Sequence, residues 1–241
     1  MDEINIFHRE LLAEAQGDAD ASGVITSEAF LEKISEILDE AGEVSSLSQS
    51  YYEGKFRGKT LQVDAFSWDP LDEEGVLSVV ICDFVVDDEL QSIDRSEISR
   101  LLKKLVEFVV AAKTRDFRES LEEASDGFVL SDLIHRSWAK INKIKLIVVT
   151  NRVNKSRTDA QPVGSIASIP VTSNVWDLSR IYRFVSSGQT REDLIIDLIS
   201  RIKPASLTAL AVVGPKHEGP SLAREAAPSG YLGQSLQLAF I

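Results

Sequence analysis

The sequence predicts an α/β protein of mixed α+β character, in which a mixed β-sheet is flanked by helices. Two apolar strand-like runs, at 60–67 and 76–86, are separated by a short acidic loop, which predicts an antiparallel hairpin. Later apolar runs at 144–150 and 169–175 alternate with helical patterns, as in sheets whose faces are covered by helices. The hairpin makes the expected sheet mixed rather than wholly parallel.

Two helices are expected before the hairpin. The first covers about residues 4–15 and ends at Gly17, where a polar stretch follows. The second has Thr26 and Ser27 as candidate caps and Gly42 in the left-handed position that follows a helix. Its apolar residues recur at helical spacing, which indicates a core-facing amphipathic helix: Phe30, Ile34, Ile37, Leu38 and Ala41.

Three helical segments are expected between the hairpin and the next strand. Asp94 and Glu97 form a capping-box pattern at the start of an amphipathic helix that extends to about Lys113. Two shorter helices are expected at 117–124 and 129–140. They lead to the run at 144–150, whose β-branched residues are typical of a buried strand.

The last part of the expected domain contains a strand, a helix and a further strand. After the run at 169–175, Asp177 is expected to cap a helix that Gly188 closes, with Trp176 as a packing anchor. A final strand is expected at 193–199. We therefore predict one α/β domain over residues 1–202. Residues 203–241, rich in Pro, Gly, Ala and Ser, are expected to be a poorly ordered tail or linker stub.

Composition excludes several classes of protein. The 241 residues contain one cysteine, Cys82, so an internal disulfide and a cysteine-built zinc site are excluded. No apolar run is long enough to span a membrane, and the N-terminus lacks the pattern of a secretion signal, so a cytoplasmic location is expected. Glycine-rich nucleotide loops and serine-hydrolase or zinc-protease motifs are absent from the sequence.

Charge is strongly segregated along the chain. The formal net charge is −12, which disfavours general binding to nucleic acid. Residues 133–158, however, contain no acid, and this basic segment predicts a surface for a negatively charged partner such as nucleic acid. The alternative is an ordinary solvated surface. The candidate binding residues are Arg136, Lys140, Lys143, Lys145, Arg152, Lys155 and Arg157.

Each strand of the hairpin carries one aspartate among apolar residues, Asp64 and Asp83. Because buried carboxylates are costly, each needs a metal, a hydrogen-bonding partner or an open strand end. Both would project from one face of the sheet if the numbers of facing residues sum to an odd value near 147. Such a pair suits Mg²⁺ and phosphodiester cleavage, as in the restriction-endonuclease-like fold. That motif has a lysine two positions after the second acid, where this chain has Val85.

Several blocks of sequence resemble the N-terminal region of bacterial abortive-infection phage-resistance (AIPR) proteins. The blocks are FHRELLAEAQ, RGKTLQVDAFSWDPLDEEGVLSVVICDF, DFRESLEEASDGFVLSDLI, IKLIVVTNRV and IPVTSNVWDLSRIYRFVSSG. The resemblance implies a role in phage defence, with a nuclease-like fold in some relatives. It also implies a larger AIPR domain, which follows this region in the family, as a partner. Asp64 and Asp83 match the strand acids of that family.

Three functions remain open at this point. The first is a phage-defence module with a degenerate nuclease-like fold that acts in recognition or scaffolding. The second is a magnesium-dependent nuclease in which Asp64 and Asp83 bind the metal and catalyse cleavage, with no cofactor needed otherwise. The third is a protein-interaction domain unrelated to defence.

Overall fold

The computed structural model describes residues 3–71, 73–156 and 160–189. Within these ranges the helices are α1 (Glu3–Ser22), α2 (Thr26–Glu40), α3 (Arg95–Ala112), α4 (Arg115–Glu119), α5 (Asp126–Ser137), a 3₁₀ helix (Trp138–Lys140) and α6 (Leu178–Gln189). The strands are β1 (Ser48–Phe56), β2 (Lys59–Ser67), β3 (Val76–Asp83), β4 (Ser92–Ile93), β5 (Lys143–Thr150), β6 (Val153–Asn154), β7 (Gly164–Ile166) and β8 (Ile169–Trp176).

Six of these strands form one mixed sheet in the order β1-β2-β3-β5-β8-β7. The pairs β1/β2, β2/β3 and β7/β8 are antiparallel, whereas β3/β5 and β5/β8 are parallel. The expected hairpin is confirmed, with Ala65 opposite Val80 and Phe66 opposite Val79. The short strands β4 and β6 form a separate parallel pair. The predicted mixed α/β class is therefore confirmed.

Helices cover both faces of the sheet because its central strands carry apolar side chains on both faces. On one face Val80 and Ile147 pack into a cluster with residues of α1, α2 and α6. On the other face Val79 and Leu146 pack into a second cluster with residues of α3, α4 and α5. Full burial of a side chain such as Phe30 stabilises the fold by roughly 2–3 kcal/mol. The result is a three-layer arrangement.

The strand β1 was not expected from the sequence. Its segment, SQSYYEGKF, is polar, and its alternation of half-buried and exposed residues is weak because the strand lies at the edge of the sheet. A two-residue turn joins it to β2. Arg57 and Gly58 both have positive φ angles there, 48° and 75°, as a tight hairpin turn requires. The expected hairpin is thus the second half of a three-stranded antiparallel meander.

Several helix boundaries differ from the expectation. Helix α1 continues through Gly17 to Ser22, because Ala15 and Ala19 are both buried and packing outweighs the low propensity of glycine. Neither Thr26 nor Ser27 caps α2; the N-cap is Ile25, which has no side-chain cap. Gly42, with a φ angle of 69°, follows α2 as expected.

Other boundaries were predicted more closely. The capping box of Asp94 and Glu97 is formed, and α3 ends at Ala112. Helix α4 is shorter than the expected 117–124 and ends at Glu119. Helix α6 continues past Gly188. The expected strand at 193–199 and the expected tail at 203–241 lie outside the described residues. Among the described helices, none is long and apolar enough to cross a membrane.

Candidate functional site

The carboxyl ends of three parallel strands meet at one edge of the sheet. Asp83 ends β3 and lies beside Thr150, which ends β5, and Asp177 follows the end of β8. In open α/β sheets this edge is the usual place for a functional site, because loops and helix N-termini gather there. The chain places the segment 150–154 across this edge.

Asp83 is held by an arginine and a threonine. Its Oδ2 accepts hydrogen bonds from Arg152 Nε at 2.8 Å and from Thr150 Oγ1 at 2.9 Å. Arg152 Nη2 lies 2.7 Å from the same oxygen, and the Arg152 side chain is only 12% exposed. Thr150 Oγ1 also accepts from the backbone N–H of Arg152, which fixes the start of the loop. The negative charge of Asp83 is therefore matched by a partly buried cation that belongs to the chain itself.

Arg152 also reaches the first turn of α3. Its Nη1 donates to Glu97 Oε1 at 3.1 Å and to the carbonyl oxygen of Ser92 at 3.4 Å. The backbone N–H of Asp94 and then the hydrogen bond from Arg152 hold the pKa of Glu97 below its usual value. Burial lowers the pKa of Arg152, but its bonds to Asp83 and Glu97 raise it above the usual value. One guanidinium thus connects β3, β4 and α3.

Two further side chains close this edge by replacing strand pairing. Asn151 is 2% exposed. Its Oδ1 accepts from the N–H of Val85 at 3.0 Å, and its Nδ2 donates to the carbonyl of Val85 at 2.7 Å. Asp177 caps α6 by accepting from the N–H of Arg180, and its other oxygen accepts from the N–H of Asn154 at 2.8 Å. Side chains therefore satisfy the backbone N–H and carbonyl of Val85, beyond β3, and the N–H of Asn154, beyond β5.

Asp64 lies where β2 separates from β3. Its Oδ2 accepts from the backbone N–H of Cys82 at 2.7 Å, and Gln62 Nε2 lies 3.5 Å away. Gln62 in turn accepts a hydrogen bond from Lys104 at 2.7 Å. Burial raises the pKa of Asp64 to about 6, although the bond from Cys82 opposes that shift. The Asp64 carboxylate therefore accepts the hydrogen bond that a backbone carbonyl of β2 would accept if the two strands were still paired there.

The two aspartates have different partners. The paired residues of β2 and β3 have numbers that sum to an odd value, but this pairing ends at Ala65 and Val80 and includes neither aspartate. Val63 and Ala65 pack into clusters on opposite faces of the sheet, so the regular alternation along β2 is broken at Asp64. Asp64 bonds to Cys82, whereas Asp83 bonds to Thr150 and Arg152. The described residues contain no group of three or more His, Cys, Asp or Glu side chains that could hold a metal ion. Each of the two carboxylates therefore has its own hydrogen-bonding partners within the protein.

The basic residues predicted from the sequence lie in several places. Arg152 is engaged with Asp83 and Glu97, as described above. Arg136, near the end of α5, is exposed and pairs with Asp132 at 2.8 Å. Lys140 and Lys155 are exposed, at the 3₁₀ helix and after β6 respectively, and Arg157 lies outside the described residues. The structure does not bring all of them onto one surface.

Lys143 and Lys145 lie at the opposite end of β5 from Arg152. Lys145 lies five residues before the end of β5 at Thr150, which is about 17 Å along the strand, and Arg152 follows that end. The two lysines line an open cleft of about 540 Å³ together with four acids: Asp39, Glu43, Asp69 and Glu74. Lys145 Nζ donates to the carbonyl oxygen of Glu43 at 3.1 Å, just beyond the end of α2. This cleft has mixed charge rather than positive charge.

Sequence reasoning missed Thr150, Asn151 and Glu97 as members of the site. Glu97 was identified only as part of a helix cap, and its second role requires knowing that α3 begins beside the end of β5. A signal for Thr150 and Asn151 does exist, because polar residues directly after a buried strand belong to the edge where sites form.

The fold and the site together define a mixed α/β domain whose carboxyl strand edge is closed by an internal Asp83–Arg152–Glu97 network. The sequence model of the abortive infection phage resistance protein N-terminal domain matches residues 30–183, more than half of the chain. The chain therefore belongs to this phage-defence family, and the resemblance seen in the sequence is confirmed. Neither the curated proteins nor the solved structures gave a match.

Proposed function

We propose that this chain is a non-catalytic module of a phage-defence protein, which acts in recognition or scaffolding on a degenerate restriction-endonuclease-like fold. The observation that carries the proposal is the pairing of Asp83 with Arg152. In a metal-dependent nuclease the second strand acid would need its charge available to the cation. Here the partly buried guanidinium of Arg152 already compensates that charge.

The chemistry two positions beyond Asp83 supports the same conclusion. The nuclease motif uses a lysine there, whereas this chain has Val85. The backbone N–H of Val85 donates to Asn151 Oδ1, and its carbonyl oxygen accepts from Asn151 Nδ2. The strand end is therefore closed by side-chain to backbone hydrogen bonds. A closed edge suits a rigid scaffold, because its polar groups are satisfied without a ligand.

The exposed basic residues are the candidates for contact with a negatively charged partner. Arg136, Lys140 and Lys155 present their charged ends outward, and Arg136 alone of these three pairs with an acid in the described residues. A nucleic acid is the expected partner for these cations, and a separate AIPR domain is the expected partner within the defence protein.

A cleavage assay tests the proposal. The purified chain, incubated with Mg²⁺ or Mn²⁺ and with single- or double-stranded DNA or RNA, should leave every substrate intact. Cleavage that is lost in Asp64→Asn while the variant stays folded would overturn the proposal. It would instead establish the alternative, a magnesium-dependent nuclease that uses Asp64 and Asp83.

A binding assay tests the recognition part. Fluorescence anisotropy with labelled DNA and RNA should show that Arg136→Ala with Lys140→Ala weakens any binding and reduces its salt dependence. The matched control is Lys143→Ala with Lys145→Ala, which removes two lysines from a cleft that already contains four acids. If only the control pair weakens binding, the contact surface lies in the cleft instead.

A further inference from the structure

The strand β1 forms one edge of the six-stranded sheet and, within the described residues, pairs only with β2. We propose that this edge binds β1 of a second copy of the chain, antiparallel and around a two-fold axis at Gly54. A strand edge offers backbone donors and acceptors that another strand can satisfy.

The turn between β1 and β2 fixes which backbone groups point outward. Phe56 and Lys59 flank the two-residue turn, and such a flanking pair exchanges both of its hydrogen bonds. The pattern alternates along the strands. Glu53, opposite Gln62, and Lys55, opposite Thr60, therefore occupy positions that are not hydrogen-bonded to β2. Their N–H and C=O groups point to the free edge.

Charge selects the register of a two-fold pair. If Glu53 faced Glu53 of the second copy, or Lys55 faced Lys55, like charges would lie directly opposite each other and oppose association. If Glu53 faces Lys55 of the second copy, two opposite-charge pairs form, one on each side of the axis. Both side chains are exposed. Glu53 also accepts a hydrogen bond from the hydroxyl of Tyr51 at 3.2 Å and lies 3.8 Å from Lys104 Nζ, so Lys55 of the second copy would be an additional cation beside it. This register places Gly54 on the axis.

Gly54 suits that position. At the axis the two strands meet as a pair that is not hydrogen-bonded, where Cα atoms approach to about 4.5 Å. A side chain at this residue would already collide with its own neighbour, because a Cβ atom would lie 2.6 Å from the hydroxyl oxygen of Tyr52. The absence of a side chain therefore permits both the packing of Tyr52 and the close approach of a second strand.

The opposite face of β1 is also self-complementary. Tyr52 and Phe56 are half-buried, and their rings lie 5.4 and 5.0 Å from the ring of Phe117. In the Gly54-centred register Tyr52 faces Phe56 of the second copy. Cross-strand aromatic pairs stabilise sheets, so the pairing would extend this aromatic cluster across the axis.

The β-bulge limits the pairing to one half of β1. The register with β2 shifts between Gln49 and Tyr52, and Ser50 donates to the carbonyl oxygen of Asp126 at the start of α5. A register centred on Tyr52 would have to cross this irregular stretch. The regular part of the edge, Tyr52 to Phe56, is short, so we expect a reversible dimer rather than an obligate one.

Charge exchange tests the proposal. Sedimentation velocity over a concentration series should show a reversible dimer of the full chain. Glu53→Lys and Lys55→Glu should each weaken dimerisation about tenfold, because each turns two attractive pairs into repulsive ones. The double variant Glu53→Lys with Lys55→Glu should restore it. The matched control, Lys103→Glu on the exposed face of α3, should dimerise like the unmodified chain. A monomer at every concentration, or a double variant that stays as weak as the single ones, would overturn the proposal.

Cross-linking tests the register directly. In a Cys82→Ser background, a mixture of Glu53→Cys and Lys55→Cys chains should form an intermolecular disulfide, since facing Cα atoms lie about 5.5 Å apart. Each variant alone should not, because like positions are then diagonal neighbours roughly 7–8 Å apart. Cross-linking by either variant alone, or none in the mixture, contradicts the Gly54-centred pairing.

Discussion

Arg152 is the residue on which the carboxyl edge of the sheet depends. It bonds to Asp83 and Glu97 while only 12% of its side chain is exposed. Removing one member of a partly buried ion pair leaves an uncompensated charge, which costs more than the pair itself contributes. We expect Arg152→Met to lower the free energy of unfolding by about 2 kcal/mol, between the values typical of exposed and of fully buried pairs, measured by urea denaturation followed by circular dichroism.

Two comparisons separate this effect from a general loss of charge. Arg136→Met removes an exposed arginine that also pairs with an aspartate, Asp132, and should cost less than about 1 kcal/mol. Adding Asp83→Asn to Arg152→Met should recover part of the loss, because it removes the charge left unpaired. Equal effects of the two arginine variants would show that burial of the Asp83–Arg152 pair contributes little.

Asp64 should make the stability of the protein depend on pH. Burial raises its pKa to about 6 in the folded state, whereas an unfolded chain has about 3.9. Below about pH 4 the group is protonated in both states, and its contribution to stability is fully present. That contribution is lost as the pH rises through 6, because the folded state must then hold a desolvated carboxylate.

The variant Asp64→Asn should remove this dependence. Relative to the unmodified chain, it should gain on the order of 2–3 kcal/mol in unfolding free energy between pH 4 and pH 7. Urea denaturation at several pH values measures the difference. Asp18→Asn, an exposed change on α1, is the control and should show no such trend. If the difference in unfolding free energy between Asp64→Asn and the unmodified chain did not change with pH, the Asp64 carboxyl group would be well solvated in the folded state.

At the scale of elements, the loop between β2 and β3 is fixed against the start of β5. The carbonyl oxygen of Gly75 accepts from the N–H of Asn142 at 2.9 Å, and Asn142 Nδ2 donates to the carbonyl of Glu74. Gly75 has a φ angle of 62°, and a Cβ atom there would lie 2.3 Å from the carbonyl oxygen of Lys140. Both the angle and the space require glycine.

Gly75→Ala should therefore destabilise the protein more than an alanine at an open glycine with the same backbone conformation. Gly23 has a φ angle of 71° and no atom within 4 Å of a Cβ position, so Gly23→Ala should cost about 1–2 kcal/mol from the backbone alone. Gly75→Ala should cost about 3 kcal/mol or more, since a backbone atom must also move. Thermal unfolding measures both losses of stability. Equal losses would show that the backbone around Gly75 and Lys140 moves at little cost to make room for the added methyl group.

At the scale of the whole molecule, the described residues already contain both helical layers and both core clusters. The domain boundary after residue 202 therefore remains a prediction with a direct test. A chain of residues 1–202 should be expressed in soluble form and unfold within about 1 kcal/mol of the full chain. Loss of soluble expression would show that residues beyond 202 complete the core.

The sequence determined the class of the fold because apolar periodicity is a local property of the chain. The continuous apolar runs of β3 and β5, the helical spacing in α2 and the capping box of α3 are each contained in a few neighbouring residues. The blocks that resemble AIPR proteins were visible for the same reason, and they identified the family correctly. The edge strand β1 was missed because an exposed edge imposes little apolar pattern.

Only the tertiary structure decided what the charged residues do. Asp83, Glu97 and Arg152 are far apart in sequence, and their meeting depends on the parallel pairing of β3 with β5 and on where α3 begins. The basic segment from 133 to 158 is continuous in sequence but divided in space, because Lys143 and Lys145 lie near the start of β5 whereas Arg152 follows its end. Charge pairing depends on three-dimensional distance and burial, which no local pattern encodes.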